Sequence, residues 1–430
     1  MFLSRRQQLF TAMSDNSVAI FCAAEEQTRS RDTEFPFRQD SDFYYFSGFN
    51  EPKALLLLIK QAGETRTVLF NRSKDKLAEI WQGRRVGQEQ AVESLVIDKA
   101  LAVEELAELL HLELDGLDKV YLAQGRYPAY DQLIFSAIES LRNGLRQGFK
   151  APSQIEDWRP IVDEMRLIKS ADEVALMRKA GEISAAGHVR AMRSSKVGMF
   201  EYQLEAEIHH EFLMAGARSP AYGTIVGAGD NACILHYTEN QSAMQNGDLV
   251  LIDAGAEYQM YAGDITRTFP VNGKFGPEQA KLYNIVLAAQ VAAIEMLKPG
   301  VSIFEANQVV LNIMVSGLVE LGIMQGDVAT LIEEEAYKEY YMHGLGHWIG
   351  LDVHDVGDYY DVKRTRPLAE GMAITIEPGL YIPADADVSA AYKGVGIRIE
   401  DDVVITANGC EVLTADVPKT IAEIEALMAS

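Results

Sequence analysis

The sequence is poor in cysteine and has no long hydrophobic run. Its 430 residues include three cysteines, Cys22, Cys233 and Cys410, and none of them forms a C-x-x-C pair. This argues against a disulfide framework and against a thiolate zinc site, so we expect a reducing, cytoplasmic location. No segment approaches the ~18 apolar residues that a membrane-spanning helix requires. Polar residues follow Met1 within a few positions, so we also expect no signal peptide.

The chain also has little positive charge. It contains 39 Lys and Arg against 63 Asp and Glu, which gives a formal net charge of −24 at pH 7. Phosphate backbones and anionic membrane surfaces would be repelled, so we expect neither a nucleic-acid partner nor a membrane partner. Hydrophobic residues make up 48% of the sequence, a fraction typical of globular proteins that argues against disorder.

The sequence pattern changes part-way along the chain. In the first part, short segments rich in β-branched and aromatic residues, such as 17–24 and 42–49, predict strands that alternate with amphipathic helices. Residues 170–173, Ser-Ala-Asp-Glu, then form a capping box that should begin a long helix. We therefore predict an α/β protein of two domains, a smaller one over residues 1–166 and a larger one over residues 167–430.

Two aspartates lie close together in the second domain. Asp253 ends the apolar segment 249–253, and Asp264 follows eleven residues later. A hairpin that turns at Tyr258 and Gln259 would place them directly opposite each other, with Cβ atoms ~4.5–5.5 Å apart. Two carboxylates this close repel each other unless a proton or a cation lies between them. The alternative is that each is an ordinary turn aspartate beside a glycine.

Histidines cluster further along the chain. Three of the eight, His343, His347 and His354, fall within twelve residues. His343 and His347 have the i, i+4 spacing of a helical metal pair, but three nearby glycines argue against a helix. Gly344 also replaces the glutamate of the zincin motif. We predict a loop that runs into a strand and directs its imidazoles at one cavity; surface histidines beside a glycine-rich turn are the alternative.

Two glutamates come at the ends of apolar segments, Glu377 after 374–376 and Glu400 after 397–399. Glutamate is rarely buried without a partner, because its desolvation is costly. An ion pair between Arg398 and Glu400 on one face of a strand is one explanation. The other is a site of four carboxylates and at least one histidine. Such a hard donor set can hold two divalent cations and activate water for hydrolysis.

Taken in this order, these segments resemble the pita-bread metallopeptidases of family M24, and within them the proline-specific aminopeptidase P (Xaa-Pro aminopeptidase) family. The matching motifs are Ile234-Leu235-His236-Tyr237-Thr238-Glu239-Asn240, Asp253 with Asp264, His343-x-x-x-His347 with His354, Ile376-Glu377-Pro378-Gly379 and Ile399-Glu400. Residues 37–43 and 46–49 are similar to the N-terminal domain of that family. The resemblance implies a small α/β N-terminal domain and a catalytic pita-bread domain, in which helices cover an antiparallel sheet.

The resemblance also implies roles for individual residues. The implied ligands of a dinuclear centre are Asp253, Asp264, His347, Glu377 and Glu400. Two Mn²⁺ ions per subunit are implied, with Co²⁺ or Zn²⁺ as other occupants. The further active-site residues would be His236, His343, His354, Tyr381 and Arg398. Trp81 and Arg146 match residues that contact substrate from the N-terminal domain of another subunit, which implies a homodimer or homotetramer.

The implied reaction is hydrolysis of the bond between an N-terminal residue and a proline in second position. Water activated at the two metals would attack, Glu377 would shuttle the proton, and His236 or His354 would stabilise the oxyanion. A prolidase, which cleaves only Xaa-Pro dipeptides, would need the same ligands. A methionine aminopeptidase fits less well, because those enzymes lack so large an N-terminal domain. A catalytically dead module that binds peptides is the alternative from a different class.

Overall fold

The computed structural model describes all 430 residues, and they form two compact units, Met1–Met165 and Arg166–Ser430. Each unit has a hydrophobic core of its own. None of the helices combines the length and the hydropathy that a membrane crossing needs.

The first unit is built around one mixed sheet. The strands of the unit are β1 (Ser17–Cys22), β2 (Thr28–Ser30), β3 (Thr33–Glu34), β4 (Leu55–Gln61), β5 (Glu64–Asn71), β6 (Lys99–Ala102), β7 (Lys119–Tyr121) and β8 (Gln154–Glu156). Strands β2 and β3 form a separate antiparallel pair, and the other six form the sheet. Its helices are α1 (Phe2–Ala12), α2 (Ser41–Ser47), α3 (Lys76–Gln82), α4 (Gly87–Leu95), α5 (Leu106–Leu114) and α6 (Pro128–Asn143), and α7 (Arg159–Leu167) includes the junction of the units. The sheet order is β6-β5-β4-β1-β7-β8, with β4 antiparallel to both neighbours and the other pairs parallel.

One predicted strand of this unit is a helix instead. The segment 42–49 forms most of α2, because both of its ends carry helix caps. Asp40 accepts a hydrogen bond from the backbone N–H of Phe43, and Gly48 ends the helix with a φ of 65°. The prediction of a strand was wrong because the aromatic content of the segment suggested β structure, whereas its polar ends decide the conformation.

The second unit contains the remaining elements. Its helices are α8 (Ala171–Ser194), α9 (Glu201–Met214), α10 (Pro277–Met296), α11 (Ile303–Glu320), α12 (Val328–Glu333) and α13 (Ile421–Met428). Its strands are β9 (Ser219–Pro220), β10 (Ile225–Ala228), β11 (Leu249–Asp253), β12 (Ala256–Tyr258), β13 (Tyr261–Ala262), β14 (Thr266–Pro270), β15 (Ala373–Ile376), β16 (Gly379–Ile382), β17 (Val395–Arg398), β18 (Asp401–Ile405) and β19 (Cys410–Val412). Helix α8 begins at the predicted capping box, with both of its hydrogen bonds formed.

All strand pairs of the second unit are antiparallel, in the orders β10-β11-β14, β13-β12-β9, β15-β18-β19 and β16-β17. Buried residues of α8, α10 and α11 share one core with residues of β11, β15 and β17. This combination of antiparallel sheet and covering helices agrees with the predicted fold of the second domain. Asp253 ends β11, Glu377 directly follows β15, and Glu400 lies between β17 and β18; these strand ends position the site described next.

Candidate metal centre

Asp253 and Asp264 share one face of a hairpin, but they are not directly opposite each other. Asp253 pairs with Thr266, and the turn comes at Gln259 and Met260, one residue later than predicted. Both turn residues have positive φ, 49° and 75°, as a two-residue hairpin turn requires. The predicted register was wrong because neither residue is the Gly, Asn or Asp that marks such turns. Moving the turn by one residue shifts each pairing partner by two, so Asp264 stays on the face of Asp253 as a diagonal neighbour.

Glycines allow the backbone to pack tightly around these aspartates. A Cβ on Gly255 would overlap the carbonyl oxygen of Gly263, the residue before Asp264. The same relation occurs beside His347, where a Cβ on Gly346 would overlap the carbonyl oxygen of Thr375. Only glycine fits these two close approaches.

His347 is held with one ring nitrogen directed at the carboxylates. It lies in a loop, outside the strands. Thr375 nevertheless fixes its backbone: the N–H of His347 donates to Thr375 Oγ1 at 3.0 Å, and its carbonyl oxygen accepts from Thr375 N at 3.0 Å. Its Nδ1 lies 3.0 Å from the carbonyl oxygen of Trp348, which only accepts, so Nδ1 carries the proton. Nε2 therefore offers a lone pair, 3.5 Å from Asp264 Oδ2 and 3.6 Å from Glu377 Oε1.

The two glutamates are each oriented by a threonine. Thr266 Oγ1 donates to Glu400 Oε2 at 2.6 Å, and Thr375 Oγ1 donates to Glu377 Oε1 at 3.2 Å. The ligand atoms of Asp264, His347 and Glu400 all lie within 4.8 Å of one another. The structure thus brings all five predicted ligands to one cavity of about 590 Å³.

The electrostatics of this group fit a bound divalent cation. Burial raises the pKa of Asp264 well above its usual range, and the neighbouring Asp253 raises it further. Burial and the charge of Asp264 raise the pKa of Glu400 in the same way. Oxygen donors with one imidazole nitrogen suit a hard or borderline divalent metal, whose charge would offset this repulsion.

Asp253 has a different environment from the other carboxylates. Arg398 donates to its Oδ2 from Nη2 at 2.6 Å, and the Tyr222 hydroxyl lies 2.5 Å from its Oδ1. Burial opposes ionisation of Asp253, but these two partners outweigh it and hold its pKa below the usual value. Arg398 therefore pairs with Asp253, and the alternative of an Arg398–Glu400 ion pair is wrong.

The predicted substrate-side residues surround the same cavity. His236, His343, His354 and Arg398 line it. The Tyr381 hydroxyl donates to His343 Nε2 at 2.8 Å and accepts from Arg398 Nη1 at 2.9 Å. His354 packs edge-on against His347, with ring centroids 4.3 Å apart. Burial, and then the charge of His347, lower the pKa of His354.

Among the cavity residues that were not predicted from the sequence, Tyr222 and Arg364 make notable polar contacts. The Tyr222 hydroxyl lies 2.5 Å from carboxylate oxygens of both Asp253 and Asp264. Arg364 donates to the carbonyl oxygen of Gly346 and stacks over the ring of Tyr359, 4.7 Å from its centroid. No sequence signal marked them. Tyr222 lies outside the ligand motifs, and Arg364 lies in an ordinary polar turn.

Trp81 and Arg146 belong to the first unit. Trp81 is 82% exposed on the short helix α3, and Arg146 lies in an exposed turn after α6. Their role in substrate binding stays a prediction.

Comparisons with known proteins agree with this geometry. Residues 175–407 match the model of metallopeptidase family M24, and residues 2–121 match the N-terminal domain of aminopeptidase P. The chain is 57% identical over 428 residues to Xaa-Pro aminopeptidase of Escherichia coli K12, and this alignment covers 99% of this chain and 97% of that protein. Zinc-substituted E. coli aminopeptidase P in complex with product aligns with a TM-score of 0.98 at 57% identity, over 100% of this chain and 97% of the other. The E. coli enzyme with the inhibitor Pro-Leu gives the same coverage and TM-score at 56% identity. The chain therefore belongs to the aminopeptidase P group of metallopeptidase family M24, as its motifs predicted.

Proposed function

We propose that this chain is a metal-dependent aminopeptidase that releases the N-terminal residue from peptides with proline in second position. One observation carries the proposal: four carboxylates and the available Nε2 of His347 converge on one cavity. The match over nearly the whole chain to an Xaa-Pro aminopeptidase supports the substrate class.

We further propose five metal ligands. Asp253, Asp264, His347, Glu377 and Glu400 would together hold two divalent cations. Mn²⁺ is the ion we propose in solution, since the donors are mainly hard oxygens with no thiolate. The zinc-substituted relative supports a divalent metal here without selecting one.

The protein residues have distinct roles in the proposed reaction. Divalent cations held by these residues would supply Lewis-acid activation of water and of the scissile carbonyl. Glu377 accepts the proton of the attacking water and passes it to the leaving nitrogen. His354 or His236 donates a hydrogen bond to the oxygen on which negative charge develops. Arg398 holds Asp253 in place, and Tyr381, itself bonded to Arg398, holds His343.

The shape of the cavity suits a bond that precedes proline. That bond is a tertiary amide with no N–H, so the site needs no acceptor there but needs an apolar wall for the ring. Ile225, Leu235 and Val353 supply apolar surface in the cavity. His343 and Tyr381 would contact the proline ring, with Trp81 and Arg146 closing the site from another subunit.

Assembly as a homodimer or homotetramer is part of the proposal. Helix α3 buries none of its residues, and its apolar side chains Leu77, Ile80 and Trp81 are 68%, 77% and 82% exposed. Such a patch is typical of an interaction surface. We also propose a cytoplasmic location, which three unpaired cysteines support, and domains that divide between residues 166 and 167.

A comparison of two peptides tests the function. We expect the manganese-loaded protein to release the first residue of Ala-Pro-Ala, and to cleave the dipeptide Ala-Pro far more slowly. Liquid chromatography of the products with time gives both rates. Rapid cleavage of the dipeptide with no action on the tripeptide would identify a prolidase instead. Loss of both activities with full metal content would identify a binding module.

A further inference from the structure

The imidazole of His354 is not fixed by any hydrogen bond of its own. It is exposed in the metal cavity, where it packs edge-on against His347, and neither of its ring nitrogens bonds to the protein. A donor to a developing oxyanion works best from a position that is set in advance. The position of this ring must therefore come from the backbone that carries it.

The next residue, Asp355, is held from two directions. Arg166 Nη2 donates to its Oδ1, and Lys169 Nζ donates to its Oδ2 at 3.0 Å. All three side chains are only 1% exposed. Gly350 leaves room for this arrangement, because a Cβ there would come within 2.3 Å of Asp355 Oδ2. Moving the carboxylate would leave two buried cations without this partner, so it stays in place.

The same contacts fix the loop on both sides of His354. Arg166 Nη2 also donates to Asp352 Oδ2 at 2.8 Å, so one nitrogen joins positions 352 and 355. The backbone N–H of Asp355 donates to Trp348 O at 2.9 Å, and the same oxygen accepts from His347 Nδ1. The loop thereby places His354 beside the ring of His347.

The two cations have a rigid support. Arg166 lies in α7, and the backbone N–H of Lys169 donates to Gly371 O at 2.8 Å. Ile168 forms an antiparallel bridge with Met372, directly before β15. Glu377 follows that strand, so one strand supports both the proposed proton shuttle and the anchor of the His354 loop.

We propose that Asp355 is a positioning residue: its carboxylate, fixed by Arg166 and Lys169, holds His354 where it can donate to the oxygen that becomes negative. The inference rests on the proposed function, because it takes His354 to be the oxyanion donor. An interaction that acts in the transition state affects kcat more than KM, so the loss of this anchor should appear in kcat.

A double-mutant cycle on the hydrolysis of Ala-Pro-Ala tests the inference. Asp355→Asn keeps the shape of the side chain, but its single oxygen can accept from only one of the two cations. We expect kcat to fall roughly tenfold, less than on removal of His354 itself, with KM and metal content unchanged. In the His354→Ala background the same substitution should lower kcat no further, because the group that it positions is gone.

A milder variant covers the case in which Asp355→Asn does not fold. Lys169→Met keeps the length of the side chain and leaves the contact between Arg166 and Asp355. It should lower kcat about threefold when His354 is present and not at all when it is absent. Asp416→Asn, in an exposed turn, is the matched control and should leave kcat unchanged in both backgrounds.

Three results would overturn the inference: an equal fall in kcat with and without His354, an unchanged kcat in the folded variants, or loss of metal from Asp355→Asn. The first would assign the network to stability alone, and the last would assign it to His347. In each case, cleavage of Ala-Pro-Ala by the unsubstituted protein would leave the proposed function standing. Failure of the manganese-loaded, unsubstituted protein to cleave this peptide would overturn the proposed function instead.

Discussion

His347 and His354 lie seven residues apart and face the same cavity, yet their surroundings assign them different tasks. His347 has its Nδ1 proton engaged by Trp348 O, which leaves Nε2 for a metal. His354 packs against the ring of His347 at a distance of 4.3 Å between centroids. It can reach a bound substrate without being a ligand.

This difference predicts opposite results for two substitutions. His347→Ala should lose one metal per subunit and nearly all activity. His354→Ala should keep its metals and lower kcat by ~10²–10³ with little change in KM, as removal of an oxyanion donor does. Mass spectrometry for metal content, with kinetics on Ala-Pro-Ala, separates these outcomes.

His210→Ala, at an exposed position of α9, is the matched control and should change neither quantity. Metal loss from His354→Ala with retention in His347→Ala would reverse the two assignments.

At the scale of elements, the loop that carries His236 depends on one buried glutamate. Glu201, at the start of α9, is fully buried. Its carboxylate accepts hydrogen bonds from Ala228 N, Asn231 Nδ2, Tyr237 OH and Ser242 N at 2.8–3.0 Å. These donors flank His236 on both sides, so the helix fixes the position of a catalytic loop.

Glu201→Ala should therefore lower both stability and substrate binding. Four donors would lose their acceptor, two of them in the buried residues Ala228 and Tyr237. We expect a loss of about 3 kcal/mol in the free energy of unfolding. KM for Ala-Pro-Ala should rise as His236 becomes less fixed. Chemical denaturation and steady-state kinetics measure the two effects.

Glu207→Ala is the control on the same helix. The ion-pair partner of Glu207, Arg190, is partly exposed. The free energy of unfolding of Glu207→Ala should therefore change by no more than about 1 kcal/mol. A destabilised Glu201→Ala protein with an unchanged KM would mean that the network supports the fold alone.

The elements also show how far the sequence could predict the structure. The helix at Ser170 was predictable because its capping signal is local and complete. Helix α2 was not, because its aromatic residues favour strands and only its flanking Asp40 and Gly48 act against this. The ligand motifs carried the candidate site, whereas Tyr222 joined it through contacts that no local pattern records.

At the scale of the whole molecule, the proposed metals should stabilise one unit and not the other. All five proposed ligands lie in the second unit, Arg166–Ser430. Of the three tryptophans of the chain, Trp348 alone lies in that unit. A ligand that binds only the folded state at 100 times its Kd adds about 2.7 kcal/mol of stability. Mn²⁺ should therefore protect the amide hydrogens of the second unit.

Hydrogen exchange followed by mass spectrometry measures this for each segment. We expect Mn²⁺ at saturation to slow exchange in β11, β14, β15 and β18, and chelation to reverse it. Strands β1, β4 and β5 of the first unit serve as an internal control and should exchange at the same rate in both conditions. Equal protection of both units would indicate that the metal effect is not local to the five residues.

The glycines that abut the centre have a consequence for how related genomes are interpreted. At Gly255 and Gly346 the adjoining carbonyl oxygen occupies the space of a side chain. A homologue could keep all five proposed ligands and still carry alanine at one of these positions. Its strands would then be forced apart and its ligands misplaced, so a search that scores only the acidic residues and histidine would count a pseudoenzyme as active. The two glycines belong in the signature by which active members are recognised.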